Sequence, residues 1–533
     1  MSTAQLLDCT LRDGAYLVDK TFGDDVITGI ISGLVHTGVD IVEIGFLQNE
    51  GFGAGKTVFH NSKDAARFIP EDKGRSIFTA FADYSRYSAD NLDDYDGKSF
   101  DAVRACFFKA ERFDAMDFCR KIKEKGYKLF VQPVDVMGYS DQEMLDLIGR
   151  VNEIKPYCFS IVDTFGSMYQ DDLTRIFSLI HHNLDRDIRI GFHSHNNLQM
   201  SSALSQAFLH MAYGLRDVIV DSTVSGMGRG AGNTPTELIA QYMVSKLGYH
   251  YDMDELMDLI DTYIQPIRSH TEWGYSTPLF LAGTFGAHVN NIHYLSEKTS
   301  IRSKGIRYIL DKIGAEKRKR YDYSLLENTY LEYIARDIDD SVYFSELSSI
   351  IGGRSVVLLA PGASVKTEAE KIRRYIADNN SIVISTNFVC REIDVDFIFV
   401  NNIKRYTANR AEITNSIARK IFGSNIPHEH RDFDYEISFN RVVRSGWKFV
   451  DNSSILLLRL LEQLGAASVG IAGMDGYSSA GNYVSGGMER MISVEEADKL
   501  NQEISDMLNE FISSKKPEMK IEFITATKYL QEK

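Results

Sequence analysis

Along the first 250 residues, short apolar runs rich in β-formers alternate with stretches whose apolar residues recur at helical spacing. That alternation is the signature of βαβ units on a parallel sheet. The runs fall at 4–9, 39–46, 76–82, 102–107, 128–134, 159–163, 188–193 and 218–222, and each is followed by a stretch able to form a helix of about 10–18 residues. Eight β/α units predict a TIM (β/α)8 barrel rather than an open sheet, with its active site at the C-terminal ends of the strands. Polar residues at or just past the ends of the runs are therefore the first candidates: Asp13, Glu43, Asp163, His193, His195 and Asp221.

Residues 251–347 have a mainly helical pattern, with one helix opening at Asp252-Met253-Asp254-Glu255 and another over 324–338. A second alternation starts at Gly353. It predicts a strand at 355–359, a turn at Pro361-Gly362-Ala363-Ser364, a helix at 367–379 and strands at 381–386 and 396–400. A helix at 455–464 and a strand at 468–472, ending in Gly473-Met474-Asp475-Gly476-Tyr477, follow. The expected class is α/β: a barrel over 1–295, a helical connector over 296–350 and a doubly wound, Rossmann-like α/β domain over 351–533. There is no internal repeat, heptad or low-complexity tract.

Composition narrows the function classes. At 533 residues the chain exceeds the roughly 250–300 residues of one core, and 44% hydrophobic with 25% charged residues is ordinary for a globular protein. No run approaches the ~20 apolar residues of a membrane span, and the N-terminus carries neither a signal nor a transit pattern, so the expected location is the cytoplasm. Five scattered cysteines without CxxC spacing suit reduced thiols. With 74 acidic against 59 basic residues and a net charge of −15, the chain as a whole repels nucleic acid and anionic membranes. The run Lys317-Arg318-Lys319-Arg320 fits a solvated helical face.

The chemistry centres on His193-Ser194-His195. On an extended strand, residues two apart share a face, so both imidazoles can reach one ion. Asp13 could add the carboxylate that, with two imidazoles, leaves positions open for substrate. Such a pair also occurs in surface or capping roles, but here it ends the seventh run of a barrel. Arg12 could donate to a carboxylate or an enolate oxygen, or form a salt bridge at the barrel mouth. The glycine-rich stretch 226–233 follows the eighth run and opens into a helix at 235–247; its backbone can approach an anion or move as a lid. Its spacing is neither a Walker sequence nor a GxGxxG turn.

Thr10-Leu11-Arg12-Asp13-Gly14, Val42-Glu43-Ile44, Val162-Asp163-Thr164, His193-Ser194-His195-Asn196-Asn197 and Gly226 to Asn233 together resemble the DRE-TIM metallolyases. This is the superfamily of 2-isopropylmalate synthase, hydroxymethylglutaryl-CoA lyase and 4-hydroxy-2-oxovalerate aldolase. The resemblance covers residues 1–295 and implies Asp13, His193 and His195 as metal ligands, with Asn233 a fourth or neighbouring group. It implies Arg12 as the enolate-stabilising arginine, Glu43 as its partner, and Asp163, Thr164, Asn197 and Gly228 at the substrate. The implied cofactor is Mn²⁺ or Mg²⁺, with Co²⁺ or Zn²⁺ as alternatives. The implied reaction makes or breaks a C–C bond through a pyruvate-like enolate of a 2-oxo acid, with an aldehyde as the other partner. Where the aldolases carry a histidine two residues past the LRDG glycine, this chain has Tyr16, with an ordinary pKa of about 10. Phe285 stands where an aldolase tyrosine is expected. Gly286-Ala287-His288 is similar to the condensing synthases and makes His288 an alternative acid/base, or a core histidine. Claisen-type condensation with an acyl-CoA, and a barrel kept only as an assembly module, stay open, and a homodimer is expected. The glycine stretch lacks the cysteine of hydroxymethylglutaryl-CoA lyase.

In the C-terminal half, Leu359 to Ser364 and Ile471 to Tyr477 resemble nucleotide-side motifs of the sialyltransferase-like and pterin-diphosphokinase-like families. The resemblance implies a nucleotide-sugar near Gly362, Ser364, Asn401 and Asp475, and a place in surface-glycan biosynthesis. A tight turn that needs glycine for its dihedrals explains the same residues.

Overall fold

The computed structural model describes residues 3–298, 301–334, 338–427, 433–444, 446–447, 452–479, 481–484 and 493–530. The chain divides into two units, Met1–Ile292 with Ala315–Arg320, and His293–Gly314 with Tyr321–Lys533.

The first unit carries β1 (Ala4–Asp8), β2 (Ile41–Leu47), β3 (Val58–Phe59), β4 (Ile77–Asp83), β5 (Ala102–Phe107), β6 (Lys128–Pro133), β7 (Cys158–Asp163), β8 (Arg189–Ser194) and β9 (Val218–Ser222). All but β3 close a parallel eight-stranded barrel, with β1 pairing both β2 and β9. The short β3, absent from the sequence pattern, pairs with Phe46 and Leu47 at the upper end of β2. The helices around the barrel follow from apolar spacing and caps. Asp24–Thr37 buries Ile27, Ile30, Ile31 and Leu34 and stops at Gly38, whose φ is +81°. Asp141–Ile154 opens on a Ser140/Glu143 capping box and buries Met144, Leu147, Ile148 and Val151.

Alternation along the strands stacks the barrel interior in layers. Leu7, Ile41, Ala102, Phe130, Cys158 and Ile219 share an apolar cluster that forms the floor. Two residues further along their strands stand Glu43, Arg104, Gln132, Ser160 and Asp221, all buried. On five of these six strands one step up thus exchanges an apolar side chain for a charged, amide or hydroxyl one, Cys9 just past β1 being the exception, and this polar layer carries the site.

In the second unit, helices at Ser303–Ile313, Tyr323–Ile334 and Ser341–Ile351 precede a seven-stranded, wholly parallel sheet. Its strands are β10 (Ser355–Leu359), β11 (Ile382–Thr386), β12 (Phe397–Val400), β13 (Arg419–Gly423), β14 (Tyr435–Ile437), β15 (Ser468–Ala472) and β16 (Lys520–Phe523). The order β14-β13-β12-β11-β10-β15-β16 reverses direction between β10 and β15, the switch point of a doubly wound sheet. The helix expected over 324–338 ends at Ile334; residues 335–337 lie outside the described residues and Ile338 is not helical. Strands β13, β14 and β16 are additions to the predicted set. Among the described residues no helix is long and apolar enough to cross a membrane.

Candidate metal centre

Past β1 the chain turns inward. The Asp8 carboxylate accepts from Thr10 N (2.9 Å) and Thr10 Oγ1 from Val224 N (2.8 Å), which fixes the short helix Thr10–Asp13 over the barrel. Across the seam, the Asp13 side chain meets both histidines. His193 Nε2 lies 3.3 Å and His195 Nε2 3.4 Å from Asp13 Oδ2. The rings are 5.0 Å apart and nearly perpendicular. His195 and Asn233 form an isolated antiparallel bridge, which puts the Asn233 amide beside the cluster. Asn233 Nδ2 donates to Asp13 Oδ2 at 2.9 Å. Gly228 makes room for that amide: a Cβ there would come within 2.3 Å of Asn233 Nδ2.

Each imidazole is oriented from behind. His193 Nδ1 is 2.9 Å from Asp221 Oδ2, and His195 Nδ1 is 3.1 Å from the Asp163 carbonyl, leaving both Nε2 atoms aimed at Asp13. Asp221 in turn is held by Arg104, which also donates to Glu43 Oε2 (3.0 Å). Arg12 Nε shares that Glu43 oxygen at 2.8 Å, and Arg12 Nη1 is 3.3 Å from Asp13. Burial pushes the Asp13 carboxyl upward, but Arg12 and the two histidines outweigh it and hold the pKa well below the usual carboxylate range. Burial is likewise outweighed at Asp221, lowered by Arg104 and His193, and at His193, raised by Asp13 and Asp221.

A divalent ion fits these residues. The donors are two imidazoles, a carboxylate and an amide oxygen, and their 3.3–3.4 Å spacing is near the ~3 Å between adjacent ligands of an octahedral shell of about 2.1 Å radius. Asn233 Oδ1 is buried and has no hydrogen-bond partner among the described residues, a costly state that a cation would relieve. Cys9, which the sequence pattern left as a structural thiol, has Sγ within 4.8 Å of ligand atoms on Asp13 and His193. Its thiol donates to the Ser222 carbonyl (3.3 Å), and burial drives its pKa well above the ordinary value, so it lies beneath the cluster as a neutral group.

The remaining expected residues divide. Tyr16 sits at the mouth with its ring edge-on to Phe46 (5.5 Å) and the Arg229 guanidinium 5.4 Å from its centroid. Burial raises its pKa in spite of Arg229 and Arg12, so the phenol keeps its proton. His288 touches Arg229 and accepts from Asn290 N at 3.2 Å. Burial, Arg229 and Arg86 push its pKa down to about 3. The Asp163 carboxylate accepts from Ser167 N (2.9 Å) and Met168 N (3.4 Å), and burial raises its pKa to about 6. Thr164 Oγ1 accepts from Asp135 N (2.8 Å). Asn197 donates to the Phe165 carbonyl and accepts from Ala231 N, both at 2.9 Å. These three tie loops together behind the histidines. Arg104 is the participant that the sequence pattern passed over.

In the second unit, Ser364 N donates to Asp475 Oδ2 at 2.8 Å and its hydroxyl to Oδ1. Gly362 N donates to the Gly473 carbonyl (2.9 Å), where a Cβ on Gly362 would come within 2.2 Å of that oxygen. Asn401 N donates to Asn387 Oδ1, and Asn387 Nδ2 to Asn401 Oδ1, both at 2.9 Å. The four residues expected at a nucleotide thus hold one another or their neighbours.

Comparison with known proteins bears on the first unit. Residues 108–262 match the HMGL-like family. They form an HMGL-like domain. The oxaloacetate decarboxylase of Mycobacterium tuberculosis is 27% identical over 261 residues, 48% of this chain and 74% of that protein. The 4-hydroxy-2-oxovalerate aldolase of Pseudoalteromonas translucida is 24% identical over 277 residues, 49% of this chain and 76% of that protein. That of Carboxydothermus hydrogenoformans is 24% identical over 324 residues, 58% of this chain and 91% of that protein. Residues 108–262 are thus an HMGL-like domain of the DRE-TIM metallolyase kind, which supports a metal-dependent carbon–carbon lyase or a related enzyme.

Proposed function

We propose that the barrel is a divalent-metal-dependent, aldolase-type lyase that works through the pyruvate-like enolate of a 2-oxo acid. The observation that carries this reading is the convergence of Asp13 and both Nε2 atoms beside the unpartnered Asn233 Oδ1, with Arg12 next in the chain. Mn²⁺ or Mg²⁺ would be held by Asp13, His193 and His195, with Asn233 adjoining. When bound, the ion supplies Lewis acidity toward the carboxylate and ketone oxygens of the substrate.

The protein's own groups do the rest. Arg12, kept charged by Asp13 and Glu43 despite burial, faces the oxygen on which negative charge develops. Glu43, held by Arg104 and Arg12 together, fixes the angle of that guanidinium. In the cleavage direction, the proton of the 4-hydroxyl leaves, the bond between C3 and C4 breaks, and its electron pair becomes the enolate. His288 is unprotonated at neutral pH but weakly basic, with Arg229 and Asn290 N against its ring nitrogens, so it would take that proton only once Arg229 moves off it, whereas Tyr16 retains its own and donates.

The decarboxylase relative supports a second reading, in which the same enolate arises by loss of CO2 from a 2-oxo dicarboxylate. A nucleotide-sugar in the second unit, and with it a glycan pathway, has only the strand-turn-helix in its favour, since Ser364 is engaged by Asp475.

Exchange of the pyruvate methyl protons into D2O, followed by NMR, tests the enolate directly. Metal-stripped protein should be inactive and regain exchange on adding Mn²⁺ or Mg²⁺, and Asp13→Ala should lose about 10³-fold or more. Wild-type protein that exchanges with no divalent ion tried would overturn the reading. Pyruvate release from 4-hydroxy-2-oxovalerate or from oxaloacetate, coupled to lactate dehydrogenase, separates aldolase from decarboxylase.

A further inference from the structure

Three aromatic rings stand in a row beside the metal cluster. Phe81 meets Phe46 edge-on at 5.9 Å, and Phe46 meets Tyr16 in the same way at 5.5 Å. Each ring carries a cation: Arg12 lies 4.7 Å from the Phe81 centroid, Lys20 4.8 Å from Phe46, and Arg229 5.4 Å from Tyr16. The three cations are not equivalent. Arg12 is paired with Glu43 and Asp13. Lys20 donates to the neutral amide of Gln48 (3.1 Å), and Arg229 faces the imidazole of His288. Neither Lys20 nor Arg229 forms an ion pair with a carboxylate among the described residues.

Two more cations stand close by. Burial and Arg86, with Lys56, lower the pKa of Lys20 against the opposing carboxylate of Asp19, and burial, Arg229 and Arg86 do the same to His288. Arg86 pairs with Asp83 at 3.7 Å. A chain of net charge −15 thus gathers more cations than carboxylates at the rim of its barrel, with Asp83 and Asp19 offsetting them in part, and like charges there repel and cost stability unless an anion arrives. The oxygens of the 2-oxo acid head are already provided for by Arg12 and the metal cluster, so the outer cations face the other end of the substrate.

We infer that the part of the substrate beyond the 2-oxo acid carries a second anionic group, a carboxylate or a phosphate-type group, held by Arg229 and Lys20. The inference rests on the enolate reading for where the head lies. The aromatic row gives both cations an apolar backing that excludes water on one side, which strengthens a charge-assisted hydrogen bond.

Three ligands with one head and different tails test it by calorimetry on the metal-loaded full-length protein: 2-oxopentanoate, 2-oxoglutarate and 2-oxo-4-phosphonobutanoate. At least one dianion should bind about tenfold or more tighter than 2-oxopentanoate, and the tighter of the two identifies the anion. Arg229→Gln and, as an independent variant outside the glycine loop, Lys20→Gln should each reduce that ratio by about tenfold. Equal affinities for all three ligands, or a ratio that survives both substitutions, would overturn the inference. Pyruvate exchange run on the same preparation separates the two readings: lost exchange with a preserved affinity ratio sinks the enolate alone.

Discussion

The two units each gather polar side chains at the carboxyl ends of a parallel sheet, but they differ in how those groups are satisfied. At the mouth of the barrel, two imidazoles point at one carboxylate oxygen and Asn233 leaves its Oδ1 buried without a partner among the described residues. At the switch point between β10 and β15, Ser364 gives both its amide and its hydroxyl to Asp475, while Asn387 and Asn401 bond reciprocally. Polar groups that pair with one another stabilise a fold; buried groups that converge on one point and include an orphaned amide oxygen suit a bound ion. The contrast separates a candidate site from a polar cluster that is satisfied within itself.

Breaking the barrel's polar layer should have the largest effect on stability. Arg104→Met strands Glu43 and Asp221 without their shared cation, at a cost of about 3–5 kcal/mol, read as a lower urea midpoint of the barrel's unfolding. Next comes Asp8, buried beneath the turn, whose pKa rises from 3.8 to about 6 through desolvation. Its folded pKa exceeds its unfolded value, so its contribution is full below about pH 4 and declines as pH rises through about 6. Asp8→Asn should flatten that slope, by at most about 2–3 kcal/mol, in melts run from pH 4 to 7.

Asp221→Asn sharpens the comparison by acting on His193 rather than on the ion. Metal affinity measured by calorimetry should weaken about 10–100-fold, whereas unchanged affinity would reduce Asp221 to packing. The smallest effect belongs to the second unit: Ser364→Ala should cost about 1 kcal/mol in a thermal melt. A larger loss there, together with phosphate binding that disappears in the variant, would make the switch point a ligand site after all.

Much of the barrel was legible because its strands, buried on both faces, are apolar runs punctuated by polar ends, and His193-Ser194-His195 marks one of those ends. The same logic picked out Glu43 yet passed over Arg104, a lone cation inside Ala102-Val103-Arg104-Ala105-Cys106-Phe107 that a stricter period of two would have flagged as pointing inward. Sequence conveys residue type and not direction. Asp163, Thr164 and Asn197 have the right chemistry for a substrate, but their side chains turn toward neighbouring backbone. Tyr16 stands where the aldolases carry a histidine, and desolvation raises its pKa further from that of a base at neutral pH. Strands β13 and β16 were hidden because Arg419-Lys420 opens one and alternating charge fills the other, edge, strand.

Closure of the barrel through β1 and β9 has a consequence in time. The carboxylate leaves the ribosome well ahead of its companions, which come from the end of β8 and from the loop beyond β9. A nascent chain therefore lacks a complete ion-binding set until Asn233 has been made and the last staves stand beside the first. Ion uptake would then report that the barrel has shut, with catalytic competence arriving in one step at the end of its assembly.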